Sequence, residues 1–547
     1  MLHLLHHHQH DGRVGVVDGV HDVGAASEID GTRAERRRRL AFAVLLVCCF
    51  ATVVDLTVTN LALPAIATDL HVGTSALQWV VDAYNLAIAG LLLLGGGLAD
   101  RFGRKRIFLL GFALFGVGCL IAAFSGSVAM LVGARAVMGV GAAFVLTPSM
   151  AIISVLFPPE RRSRAIALWA VVGGLGIAVG PVIGGLLLDA FWWGSVFLIN
   201  VPIVAVAVVL GIVVLPESTR PGAQRLDLIG AVLSAFGLAT LVYGIIEGPS
   251  RGWGSPIIVG AILVGALVVV TFVLWELRAE APMFDVRILK RPAVAIGAFV
   301  LFVDYVSMTS MLFLVPNWLQ SVRHLSVITT GLVLLSFAVS FGVMSNLMPR
   351  FIARYRANHL MIVGLAFAIV DAVAFAIAPS FGGTGLVVVG FLVAGVSIAF
   401  MLTPSSTVII NALPEDKAGE GSSLSMLARF LGATFGVALA GTVFAIVFSS
   451  RVERAAARYG VTFTRDMTSS FHNAVAEADR LGGDVGRRIA AVAHEAFDAG
   501  FAWAFGVIAA VCLAGLVAML VIDRRIEGDG QDEVVVDTAR GDLRVDD

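Results

Sequence analysis

The chain has 547 residues, of which 58% are hydrophobic and only 14% charged, with 59 glycines and a formal net charge of −1. That composition excludes a soluble globular protein, and the near-neutral charge gives no reason to expect a nucleic-acid partner. The four cysteines (Cys48, Cys49, Cys119, Cys512) all lie in apolar runs, so they read as small packing residues, not a disulfide framework.

Residues 1–39 read as a disordered cytoplasmic tail. Five histidines fall in its first ten residues (His3, His6, His7, His8, His10), which suits either a metal-binding tract or a tail without function. No cleavable signal peptide is expected, because the first span is too long and lacks a small-residue cleavage site. Fourteen apolar stretches follow, near 40–64, 76–98, 106–124, 129–153, 164–189, 196–215, 227–247, 256–277, 293–319, 331–348, 360–378, 384–411, 421–449 and 501–522. Each is long enough to cross a hydrocarbon layer of about 30 Å.

Lys and Arg collect on alternate loops: Arg36–Arg39, then Arg101, Arg104, Lys105 and Arg106, then Arg161, Arg162 and Arg164. Arg278, Arg287, Lys290 and Arg291 follow, then Arg350, Arg354 and Arg356. This bias predicts that both termini are cytoplasmic. The segment 450–500 is then a long extracytoplasmic loop, read as an amphipathic helical flap, and 523–547 a cytoplasmic tail.

The chain repeats itself. Residues 139–163 (GVGAAFVLTPSMAIISVLFPPERRS) match 395–419 (GVSIAFMLTPSSTVIINALPEDKAG) at a constant shift of 256. The same shift carries Gly176, Gly180 and Gly185 onto Gly432, Gly436 and Gly441. Span 4 thus pairs with span 12, so the halves run parallel. The expected architecture is an N-terminal six-helix bundle (40–215), two inserted transmembrane helices (216–292) and a C-terminal six-helix bundle (293–522).

Several motifs lie on this frame. Span 1 carries Asp55-Leu-Thr-Val-Thr-Asn60 before Leu63-Pro64, and Gln78, Trp79 and Tyr84 follow in span 2. The next loop reads Gly96-Gly-Leu-Ala-Asp100-Arg101-Phe-Gly103-Arg104-Lys105-Arg106. Span 4 has Arg135-x-x-x-Gly139-x-Gly141, and span 5 has Gly176-x-x-x-Gly180-Pro181-x-x-Gly184-Gly185. Over residues 40–522 this combination resembles the fourteen-span drug:proton antiporter branch (EmrB/QacA type) of the major facilitator superfamily. Met138 departs from the span 4 pattern, and the second copy of the loop motif has decayed to Pro349–Arg356.

The resemblance implies an all-α integral membrane protein of the major facilitator fold and a secondary exporter of lipophilic, cationic drugs. It would exchange them for protons in the cell membrane, as a monomer, with no metal and no cofactor beyond the proton gradient. Export of an endogenous metabolite, lipid or self-made antibiotic is the second reading. A membrane enzyme or receptor is a remote third, because no nucleotide or metal motif is present.

Charges inside spans are costly and mark candidate sites. Asp55, Asp304, Arg135 and Arg429 are the candidates for proton coupling or cation recognition. Asp304 is expected opposite Asp55 across the central cavity, or else kept neutral against a neighbouring helix. Asp371 ranks lower, and Asp82, Asp189, Glu247 and Glu276 read as solvated carboxylates near span ends. Gly96, Asp100, Arg101, Gly103, Arg104 and Lys105 form a candidate gating latch or, more simply, a topology anchor. Gly176, Gly180, Pro181, Gly184 and Gly185 are the candidate antiporter motif or a small-residue packing face. Asn60, Trp79, Tyr84, Phe144 and Phe400, with Trp318, are candidates to line an apolar substrate cavity, against the plainer reading of packing.

Overall fold

A computed structural model describes residues 20–219, 226–279, 282, 285–381, 383–414, 418–459, 468 and 470–541. The helices are α1 (Val20–Leu70), α2 (Thr74–Phe102), α3 (Arg104–Ala123), α4 (Val128–Leu156), α5 (Pro159–Ala190), α6 (Ser195–Leu198) and α7 (Asn200–Val214). Next come α8 (Leu228–Arg251), α9 (Pro256–Arg278), a 3-10 turn (Val286–Lys290), α10 (Pro292–Ser321), α11 (Val327–Arg354) and α12 (Ala357–Phe381). The chain ends with α13 (Gly385–Asn411), α14 (Ala418–Tyr459), α15 (Phe471–Leu481) and α16 (Gly483–Gly541). Among the described residues, thirteen helices are long and apolar enough to cross a membrane, α6 and α7 counting as one. The described apolar stretch of α5, Leu175–Ala190, occupies the place of the remaining expected span.

Local chemistry sets the helix ends. Ser127, Ser255, Ser326 and Ser470 accept hydrogen bonds from the first turns of α4, α9, α11 and α15, and Asp227 does so for α8. Pro159, Pro256 and Pro292 open α5, α9 and α10, where a missing N–H costs nothing. Gly103, at φ 113°, separates α2 from α3 in a conformation that side chains rarely adopt. The helix is continuous from Val20, where the sequence suggests a tail without structure. Glu35 pairs there with Arg38 and Arg39 one turn on, a spacing that supports a helix even in polar sequence. The last helix likewise runs on to Gly541, into the expected C-terminal tail. The histidine-rich start lies outside the described residues.

Packing follows the repeat. In the first half α1 lies against α5, and α2 and α3 lie against α4. In the second half α10 lies against α14, and α11 and α12 lie against α13. These are the same pairings shifted by one repeat. The halves meet where α5 runs along α11 and α2 along α14. The inserted helices α8 and α9 pair with each other, and α8 rests on α2 and α14. α9 stays outermost, with Leu263 and Leu267 each 65% exposed, a flank suited to lipid.

Candidate functional site

The deepest charges in the first half meet each other. Asp55 on α1 and Arg135 on α4 are each 1% exposed, and Arg135 Nη1 donates to Asp55 Oδ2. Arg135 Nε donates to the Val80 carbonyl at 2.9 Å. The guanidinium lies 4.3 Å from the Tyr84 ring centroid, while the Tyr84 hydroxyl donates to Thr52 O at 3.2 Å. Met138 Sδ sits 4.0 Å from Arg135 Nη1, so the residue that departs from the motif packs directly on the pair. Three helices, α1, α2 and α4, therefore converge on one buried carboxylate with one counter-charge. A proton delivered to Asp55 would cancel the pair and leave Arg135 held only by a carbonyl and a ring face. At the equivalent places in the second half stand Met311 and Phe391, both buried.

The span 5 glycines make two contacts. A Cβ at Gly176 would meet Val53 at 3.2 Å, and one at Gly184 would meet Val58 at 3.1 Å, so this face lies tight on α1. Gly185 faces the other way: its Cβ would meet Ile328 Cα at 3.2 Å, and Gly331 on α11 abuts the Pro181 carbonyl. The second copy repeats the arrangement on α14, with Gly432 and Gly436 against α10 and Gly441 against Gln78 of α2. The small-residue faces thus serve both the packing inside each half and the seams between halves.

In the loop motif, Asp100 pairs with Arg104 at 2.9 Å. Glu217, beyond α7, accepts from Lys105 N at 3.1 Å and lies 3.5 Å from Arg106 Nε. Lys105 Nζ donates to Ile212 O at 2.6 Å. Gly96 packs on Thr147 of α4, and Arg101 lies over the Phe102 ring. Glu217 is a partner that the loop motif does not announce, since it comes more than a hundred residues later.

The proposed cavity lining is largely redistributed. Phe144 wedges between Gly95 of α2 and Gly111 of α3, and Phe400, its repeat mate, meets the rings of Phe351 and Phe367 at a tilt. Phe400 is buried within its half, whereas Phe144 is half-buried against the glycines of α2 and α3. Trp79 turns to the inserted helices, donating to Glu247 at 3.1 Å beside Tyr243. Trp318 donates to Asp498 at 2.6 Å and stacks on Phe501 of α16. Tyr84 belongs to the charge pair. Asn60 alone keeps a free polar function: Nδ2 donates to Leu56 O, and Oδ1 has no partner.

Asp304 does not face a central cavity. It is 0% exposed, and its helical neighbours Val300 and Val303 belong to the apolar cluster of α10, α12, α13 and α16 inside the second half. Arg429 lies over Tyr305 at 5.9 Å and donates to Ser406 at 3.0 Å; among the described residues it reaches no carboxylate at ion-pair distance. Two carboxylates expected in solvent are buried instead, Asp82 at 0% and Glu276 at 2%. Asp82 stands between Gln78 and Asn85 on one helical face, its oxygens without a hydrogen-bond partner. The spacing of Gln78, Asp82 and Asn85 at i, i+4 and i+7 was the available signal for this polar stripe.

The family model for the Major Facilitator Superfamily matches residues 45–437. The chain belongs to the Major Facilitator Superfamily. This facilitator is a multi-pass membrane transporter and not an enzyme. It is 32% identical to the multidrug efflux pump LfrA of Mycolicibacterium smegmatis over 497 residues, 90% of this chain and 98% of that protein. It is 30% identical to the tetracenomycin C resistance and export protein of Streptomyces glaucescens, over 87% of this chain and 89% of the relative. Its fold matches a bacterial homologue of the human lysosomal transporter Spinster, solved inward-facing and unoccupied, with TM-score 0.58, 16% identity, and coverage of 88% and 98% of the two chains.

Proposed function

We propose that this facilitator is a proton-driven exporter of lipophilic, chiefly cationic drugs, of the fourteen-span antiporter type. The buried Asp55–Arg135 pair carries the reading. In one state the carboxylate is ionised and holds Arg135; in the other it takes a proton or a substrate cation, and the guanidinium is released. Because proton and substrate compete for one carboxylate, export of one is tied to entry of the other. The names of the two relatives, an efflux pump and an antibiotic exporter, support a drug-like substrate. The Lys and Arg bias supports a cell-membrane location with both termini cytoplasmic. The transporter works as a monomer in lipid with no cofactor besides the proton gradient, and the Asp100–Arg104 loop acts as its latch.

Reconstituted protein tests this. An imposed pH gradient without ATP should drive uptake of a lipophilic cation such as ethidium into proteoliposomes. Asp55→Asn should abolish accumulation against the gradient while the protein remains folded in the bilayer. Wild-type accumulation by that variant, or a requirement for ATP, would overturn the reading.

A further inference from the structure

The second half holds a buried acid pair that the mechanism above does not use. Asp304 on α10 is 0% exposed, and neither carboxylate oxygen has a hydrogen-bond partner. Asp371 on α12 is 3% exposed and lies within electrostatic reach of Asp304. Cys512 on α16 senses both carboxylates, with Ser307 beside it. Val300, Val303, Leu365, Ala368 and Met401 enclose the group in an apolar cluster.

The elements packed around the pair contribute unequally to its charge balance. α10 adds Tyr305, α16 adds Cys512, α13 contributes no charged residue, and α14 brings Arg429, whose charge reaches Asp304. The guanidinium itself is engaged by Ser406 and Tyr305, and its Nε has no partner. On the repeat shift of 256, Asp304 and Asp371 fall on Cys48 and Phe115, both fully buried. The Asp304 and Asp371 positions therefore have no acidic counterpart in the first half.

Two carboxylates in a low-dielectric interior cannot both stay charged, and here no cation lies within ion-pair distance of either among the described residues. No group of three metal-ligating side chains is present among the described residues, so a metal ion would lack ligands, whereas a proton needs none. We propose that Asp304 and Asp371 form a second proton-binding site, enclosed in the second half and loaded separately from the Asp55–Arg135 pair. Only its part in transport rests on the proton-coupled reading above. α14 connects the two: it carries Arg429 and also forms the seam with α2, where Gln78 donates to the Val437 and Ala438 carbonyls. Movement of that seam shifts Arg429 relative to Asp304, and approach of the guanidinium would draw the proton off.

Infrared difference spectra of the reconstituted full chain, recorded as pH is stepped, report protonated carboxyl groups directly. The protonated-carboxyl absorption should be unchanged in Asp55→Asn, shift in Asp371→Asn, and lose the Asp304/Asp371 component in the Asp304→Asn/Asp371→Asn double variant, leaving only what Asp82 and Glu276 contribute. Loss of that component in Asp55→Asn alone, undiminished absorption in the double variant, or displacement of the component by Na⁺ but not K⁺ would overturn the proposal. Asp304→Leu should keep the thermal stability while shifting the band and lowering its intensity; unfolding of both the Asn and Leu variants would make Asp304 a structural residue and sink the site. Reversal-potential measurements should show about one proton fewer per substrate in Asp304→Asn, and an unchanged ratio would overturn the transport role. A wild type that shows the band but no proton coupling would defeat the exporter reading and leave the site standing.

Discussion

Arg135 holds three groups at once: the Asp55 carboxylate, the Val80 carbonyl and the Tyr84 ring. Only a planar guanidinium can donate in two directions while presenting a face to an aromatic ring, so Lys is not an equivalent here. Removing one partner leaves the other charge buried and uncompensated, at a cost of about 3–5 kcal/mol. Arg135→Gln should therefore melt markedly lower than the wild type in detergent. Adding Asp55→Asn to it should recover much of that loss without restoring transport. Additive losses in the double variant would show that the two charges do not depend on each other. Both residues were visible in the sequence as lone charges in apolar runs. Asp304 was visible in the same way, but a span's helical face is not marked along a chain that is apolar all round. Its seat among Val300 and Val303 followed only from packing.

Among the elements, α15 does what its sequence suggests, covering an end of the bundle as an amphipathic helix. Ser470 caps it and donates to Val72 O at 3.3 Å, and His472 contacts Ser321 Oγ at 3.2 Å. It thus touches the α1–α2 turn of one half and the end of α10 in the other. Burial pulls the His472 imidazole from 6.5 down to about 4, so the docked helix holds it neutral. The undocked state binds the extra proton, so docking is at full strength above about pH 6.5 and weakens by about 1.4 kcal/mol per unit down to pH 4. Protection factors of the α15 amides, corrected for the intrinsic pH dependence of exchange, should fall over that interval in the wild type and lose this pH dependence in His472→Gln. Identical profiles for the two proteins would remove His472 as the cause.

For the whole molecule, the identified hydrogen bonds between halves gather at one end, while Leu93 of α2 also packs on the second half nearer the Asp100 loop. Gln78 reaches α14, Gln320 donates to Leu61 O at 3.1 Å, and Gly331 abuts Pro181. This end lies opposite the Asp100 loop, so the structure is closed there. A Gln78→Cys/Gly441→Cys pair should cross-link readily in substrate-free protein and arrest export until reduced. Cross-linking that leaves turnover intact would mean that this seam does not open during the cycle.

The sequence alone determined that the chain is a duplicated, parallel bundle of membrane helices. Hydropathy, Gly and Pro positions and the 256-residue register are local or periodic properties, readable without coordinates. It also determined which residues are costly to bury, including Asp55, Arg135 and Asp304. Tertiary structure alone decided which of these charges meet. It joined Asp55 to Arg135 across 80 residues, enclosed the neighbours of Asp304 and Asp371 in one apolar cluster, and brought Glu217 to the loop after α2. It also seated Phe144 against the glycines of α2 and α3, and Phe400 against rings of α11 and α12. The physical reason is that hydropathy measures a residue's preference for apolar surroundings, whereas ion pairing depends on which helix faces meet, and that is set by close packing between distant segments.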